Sequence, residues 1–138
     1  MALTQTGKDC VYMKWLVDRP NLDKMSICIR ERSKKGELGY SLTFSKSFKD
    51  YIITNNKSFI RFGYDVVDGI NCLILQLNDD EIGLQLFNEK NQIRLWLDIT
   101  SYFQQYKDEE IDIPLGIDLP VRVKKNGNLE VELSIATD

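Results

Sequence analysis

The stretch SICIRERSKKGELGYSLTFSKSFKDYI, residues Ser26 to Ile52, decides the fold. Its beginning, MSICIRER (25–32), alternates: Ile27 and Ile29 face one way, and Cys28, Arg30 and Arg32 face the other, the period of a half-buried strand. SKKGELG (33–39) reads as a polar turn with two glycines, and YSLTF (40–44) alternates again with Leu42 and Phe44 inward. Then the period changes. Ser45 or Ser47 can cap a helix, Phe48, Tyr51 and Ile52 follow at helical spacing, and the asparagines of TNNK (54–57) end it. A cationic strand, a turn, a second strand and a short helix are predicted.

Similar grammar extends outward. CVYMKWLV (10–17) is apolar and rich in β-formers, so a strand is expected there, and DRPNLD (18–23) is turn chemistry. SFIRFGYDVV (58–67) and NCLILQL (71–77) read as strands joined through Asp68-Gly69, a strong hairpin signal. IGLQLF (82–87) and QIRLWLD (92–98) read as strands around the turn NEKN. Asp98 is placed to cap ITSYFQQYKDEE (99–110), which sets Ile99, Tyr102, Phe103 and Tyr106 on one face. IDIPLGID (111–118) is an irregular connector, and LPVRVKK (119–125) with NLEVELSI (128–135) forms a hairpin across Asn126-Gly127.

A shift of 51 residues superimposes Leu42 on Ile93, Phe44 on Leu95, Ser47 on Asp98, Phe48 on Ile99, Tyr51 on Tyr102 and Ile52 on Phe103. Each helix is followed by a strand hairpin. The pattern permits an internal duplication of a strand–helix–strand–strand unit, with halves at about 25–78 and 82–135, inside a single domain of residues 1–138. Hydrophobic patterning alone also produces such matches. Either way the predicted class is α+β, mostly antiparallel sheet with two short helices.

The 138 residues, 43% apolar and 28% charged, suit one globular core. No apolar run is long enough to span a bilayer, and the polar start MALTQTGKDC has no signal-like core, so a cytoplasmic protein without a membrane partner is expected. Cys10, Cys28 and Cys72 are widely spaced and no histidine is present, which leaves no zinc pattern and no histidine-dependent triad. The acidic clusters Asp79-Asp80-Glu81 and Asp108-Glu109-Glu110 lack the spacing of a calcium loop and read as solvated turn charges. No catalytic, metal or cofactor site is predicted.

Net charge is −3, but it is divided unevenly: +6 over residues 1–64 and −9 over residues 65–138. Such asymmetry hints at an anionic partner for the basic half, or at attraction between the halves within one chain or between two. The basic half interleaves cations with aromatics. Arg30 and Arg32 share a strand face, Lys34 and Lys35 lie in the turn beyond, and Lys46 and Lys49 flank the helix start. Arg61 sits between Phe59 and Phe62, and Lys14 and Trp15 lie on the first predicted strand. Cations that track phosphates and aromatic faces that stack on bases are what a single-stranded nucleic-acid surface needs. Trp15, Tyr40 and Phe59 are the candidate stacking residues. Each has a structural alternative: arginines on an open strand protect an edge, and aromatics more often fill a core.

The strand–turn–strand–helix order of ICIRER, SKKGELG, YSLTF and SKSFKDYI resembles the single-stranded-DNA-binding superfamily of the positive transcriptional coactivator and the Whirly proteins, which includes phage-type members. It covers about residues 25–53. The resemblance implies a curved antiparallel sheet whose Arg30, Arg32, Lys34 and Lys35 line the face that meets DNA. The family has its strands before the helix, whereas this chain continues with another hairpin. The strand–helix–hairpin order is also similar to the AbrB-type swapped-hairpin transcription factors, which bind duplex DNA as dimers; FSKSF lacks that family's usual proline.

The expectation is a non-enzymatic DNA-binding protein of bacterial or phage type, single-stranded DNA favoured, capable of forming homo-oligomers such as a dimer. The alternative is a protein-interaction module or inhibitor that offers its acidic half to a basic protein partner.

Overall fold

The computed structural model describes residues 22–90 and 92–136, the side chain of Lys34 excepted. The predicted strand 10–17, with Lys14 and Trp15, lies outside them. The described chain opens with a 3-10 turn at Leu22–Lys24 and continues as β1 (Ser26–Lys34), β2 (Glu37–Phe44), helix α1 (Lys46–Asn55), β3 (Phe59–Val67) and β4 (Ile70–Asn78). There follow β5 (Leu84–Gln85), β6 (Trp96–Asp98), helix α2 (Thr100–Asp108), β7 (Asp118–Pro120), β8 (Arg122–Val123) and β9 (Leu129–Ile135). All pairings are antiparallel. They make a four-stranded sheet in the order β6-β2-β1-β7 and a five-stranded sheet in the order β5-β3-β4-β9-β8. This is the expected α+β class.

Local chemistry sets the turns. The β1–β2 turn is tighter than the predicted 33–39: it is Lys35-Gly36 alone, both at positive φ (54° and 81°), so the strands run on to Lys34 and from Glu37. Asp68-Gly69, at 52° and 79°, closes β3–β4 in the same way. Ser45 caps α1 by accepting the Phe48 N–H at 3.2 Å, and left-handed Asn56 ends the helix. Asp98 is not the cap of α2. Ile99 takes that position, and the Asp98 carboxylate accepts the Thr100 N–H from one residue further out.

Two predicted hairpins are rearranged because their strands serve different sheets. In 82–98, β5 joins β3 and β6 joins β2, leaving only a Phe87–Ile93 bridge between the two arms. In 119–125, Asp118–Pro120 pairs with β1, the chain crosses at Val121, and Arg122–Val123 pairs with β9. Only this second segment forms the predicted hairpin around Asn126-Gly127.

Inward residues of both sheets meet the helices in one apolar cluster. Ile27, Ile29, Leu42, Leu97 and Leu119 come from the first sheet; Ile60, Leu73, Leu75, Leu129 and Val131 from the second; Phe48, Ile52, Phe103 and Tyr106 from the helices. α2 is pinned at both ends. The Tyr40 N–H donates to Thr100 Oγ1 at 2.8 Å, and the Tyr106 hydroxyl donates to the Gly63 carbonyl of β3 at 2.6 Å. Burial of that phenol pushes its pKa well up, so it stays a donor.

Candidate nucleic-acid interface

Strand alternation sends Ile27 and Ile29 into the core and turns Arg30 and Arg32 of β1 to the opposite face. On β2 the residues facing the same way are Glu37, Gly39, Ser41 and Thr43; on β6 they are Trp96 and Asp98. Register then sets rows across the sheet. Arg30 stands opposite Ser41, which stands opposite Asp98; Cys28, Thr43 and Trp96 form the next row; Arg32 lies opposite Gly39. β6 covers β2 only at Ser41–Thr43, and β7 covers β1 only at Ser26–Cys28, so the hairpin end from Arg30 to Gly39 projects past both neighbours.

The face is concave. A cavity of about 920 Å³ is lined by Arg32, Lys35, Ser41, Trp96, Asp98 and Thr100, among others. Arg32 reaches across it. Its Nε donates to Ser41 Oγ at 2.9 Å, and its guanidinium lies over the Trp96 ring, 5.5 Å from the centroid. Trp96 remains 48% exposed, high for so large an apolar ring. The absent side chain of Gly39 opens the space: a Cβ there would come within 3.0 Å of Thr100 Oγ1, the hydroxyl that ties α2 to β2.

Among the described residues no carboxylate pairs with Arg30, Arg32 or Lys35. Elsewhere among the described residues some cations are bridged, although others such as Arg61 and Arg94 are not. Lys46 bridges Asp50 at 3.1 Å, Lys57 bridges Asp79 at 3.4 Å, and Arg122 bonds Glu130 and Glu132 at 2.6 and 2.8 Å. Asp98 is anionic at neutral pH, because the Thr100 N–H, and then its hydroxyl, hold the carboxyl below its ordinary value.

Of the sequence candidates, Arg30, Arg32, Lys34 and Lys35 come together on this hairpin. Five others do not join them. Tyr40 is corrected as a stacking residue: its ring turns inward, 5.7 Å from Phe103, with Lys107 over its open side at 5.1 Å. Phe59 is half-buried and Arg61 exposed on β3, in the other sheet, where Arg61 stands opposite Gln76. Lys46 and Lys49 ride on α1, whose Phe48 and Ile52 face the core; Lys46 is paired and Lys49 is half-buried. The residue the sequence reading missed is Trp96. The alternation Arg94-Trp96-Asp98 against Ile93-Leu95-Leu97 in QIRLWLD is the signal for it, since it puts the indole on the face opposite Leu97.

The acidic clusters are occupied with local structure. Asp79 accepts the Ser58 N–H and Lys57, and Asp108 accepts the Gln104 amide. Among the described residues no three metal-ligating side chains gather. Cys28 and Cys72 are buried free thiols.

The chain matches no protein family, no curated protein and no solved structure.

Proposed function

We propose that the outer face of the four-stranded sheet binds nucleic acid, single-stranded DNA in preference to duplex, without catalysing a reaction. The observation that carries this reading is the half-exposed Trp96 with the Arg32 guanidinium fixed over it by Ser41, beside the unpaired cations Arg30 and Lys35. The guanidinium takes one face of the indole, so an unstacked base would use the other, and the flanking cations answer the phosphates. In a duplex the bases are already stacked on one another, and Trp96 would gain nothing. The guanidinium Nε is spent on Ser41, which orders the side chain and leaves its two terminal amines for an anion. Cytoplasm is the compartment of this reading: it keeps buried thiols such as Cys28 and Cys72 reduced. No described helix is long and apolar enough to cross a membrane.

Fluorescence anisotropy with a labelled thymidine oligomer, alongside a duplex of equal length and at two salt concentrations, tests it. Salt-sensitive binding that prefers the single strand is expected. Equal or stronger binding to duplex removes the stacking role. No binding to either sinks the reading and leaves a basic protein partner as the next target of search.

A further inference from the structure

We propose that the Asp98 end of this concavity selects guanine, so that a bound strand lies with its phosphates along β1 and its bases turned toward β6. The proposal rests on the nucleic-acid reading above and adds a base preference and an orientation to it.

The starting point is a misfit. A surface built only to hold phosphates has no use for an exposed carboxylate, yet Asp98 stands on the same strand face as Trp96, two residues on, and lines the same cavity as Arg32 and Lys35. No described cation neutralises it. Its Oδ1 accepts the Thr100 N–H at 3.0 Å and the Thr100 hydroxyl also supports the carboxylate, which is exposed and keeps acceptor capacity beyond those bonds. A phosphate would be repelled there. Glu37 lines the hairpin end of the same cavity, but in the row that reaches β6 the Arg30 cation and the Asp98 carboxylate divide the face into a phosphate side and a base side, with Ser41 between them.

Spacing favours a base bound between indole and carboxylate. Two residues along a strand are about 7 Å apart. A base stacked over Trp96 presents its edge a few ångströms from the ring centre, and a hydrogen bond of about 2.9 Å closes the remaining gap. The edge must then satisfy an acceptor that has no proton to give. Guanine offers two adjacent donors, N1–H and the N2 amine, to the two oxygens of one carboxylate. Thymine offers a single N–H flanked by two carbonyls. Adenine and cytosine each offer one amine beside a ring nitrogen lone pair. In those three bases an acceptor faces the carboxylate and opposes the contact, so the discrimination comes from repulsion as much as attraction.

The experiment measures anisotropy of the whole chain with four labelled oligomers. One is all thymidine. The others carry, at the same isolated positions, guanine, adenine or hypoxanthine, which is guanine without its N2 amine. Guanine is expected to bind about tenfold more tightly than adenine or thymine, and hypoxanthine to lose most of that gain. Asp98→Asn keeps an acceptor for the Thr100 N–H but turns a donor amide toward the base, and should bring the guanine oligomer down to the thymidine one. Equal affinity for all four oligomers overturns this proposal while leaving the nucleic-acid reading standing. So does a guanine preference that survives Asp98→Asn. Absence of binding to every oligomer overturns both.

Discussion

Trp96→Leu separates the stacking reading from a merely structural indole. Leucine keeps an apolar side chain opposite Thr43, so the strand pairing and part of the burial survive, but it has no π-face. What folding loses is chiefly the Arg32 contact at 5.5 Å, about 0.5–1 kcal/mol for an exposed cation–π pair. That lowers the melting midpoint by a few degrees, about 2–6 °C for a chain of this size. What binding loses is larger. One stacked base is worth about 1–3 kcal/mol, or about 5- to about 150-fold in affinity. The salt dependence should not move, because Arg30, Arg32 and Lys35 still meet phosphates. The assay is anisotropy with the thymidine oligomer across a salt series, with a thermal melt on the same samples. A variant that melts within this range and binds within twofold of the parent refutes the reasoning: Trp96 would then be an ordinary exposed aromatic. A large loss accompanied by a flatter salt slope would also count against it, since that outcome assigns the indole to positioning Arg32 rather than to a base.

Two further outcomes follow from the geometry. If three cations contact phosphates, the logarithm of affinity should fall with the logarithm of salt at a slope of about −2, and Arg30→Gln should reduce that slope by about 0.7, measured in the same titration; an unchanged slope would exclude Arg30 from the contact. Gly83 sits at φ +100° where an added Cβ would run into the Ile60 carbonyl, so Gly83→Ala should lower stability by about 2–4 kcal/mol, whereas Gly36→Ala, at φ +81° but with open space around it, should lose only about 1–2 kcal/mol in denaturant unfolding; similar losses at the two positions would show that steric contact at Gly83 is relieved by local movement.

Much of the fold was legible because short-range chemistry dictates it. Asp68-Gly69 marks the β3–β4 hairpin and Asn126-Gly127 the last, and the polar run 33–39 marks a turn between β1 and β2, though a longer one than the two residues that form it. The helical spacing of Phe48 and Ile52, and of Ile99 and Phe103, marks the two helix faces that end fully buried. The 51-residue shift keeps that agreement in the helices but pairs buried Phe44 with Leu95, which is 72% exposed. What periodicity could not convey was the division into two sheets. Alternation says that a strand has an inside, not which strand covers it. The strands 82–87 and 92–98 look like the two arms of one hairpin and 119–125 looks like one continuous strand, yet each segment is divided between the two sheets. The site suffered for the same reason. Arg30 and Arg32 were placed by their own strand's period, but Trp96 belongs to them only through the β2–β6 register, 64 residues away from Arg32 in sequence. Tyr40 shares the inward period of Leu42 and Phe44, but its place beside the basic turn outweighed that period in the reading of it as a stacking residue.

The uneven charge of the chain admits three explanations, and the ion pairs discriminate among them. If the basic and acidic halves served mainly to hold each other, bridges should run between residues 1–64 and 65–138. Among the described residues one does, Lys57–Asp79, and both its side chains are about half exposed, where such a pair contributes little. The other bridges stay within a half: Lys46–Asp50 on α1, and Arg122 and Lys124 around the buried Glu130. The acidic half thus satisfies its one deeply buried carboxylate with its own cations, and the hairpin cations Arg30, Arg32 and Lys35 are left out of the internal accounting. In the reading proposed above an anion from outside answers them, either a nucleic-acid backbone or the acidic surface of a second protein. The aromatic residue is the reason for proposing the first. A carboxylate surface matches the cations but has no particular use for an indole held half-open under a guanidinium. A single strand of nucleic acid matches both.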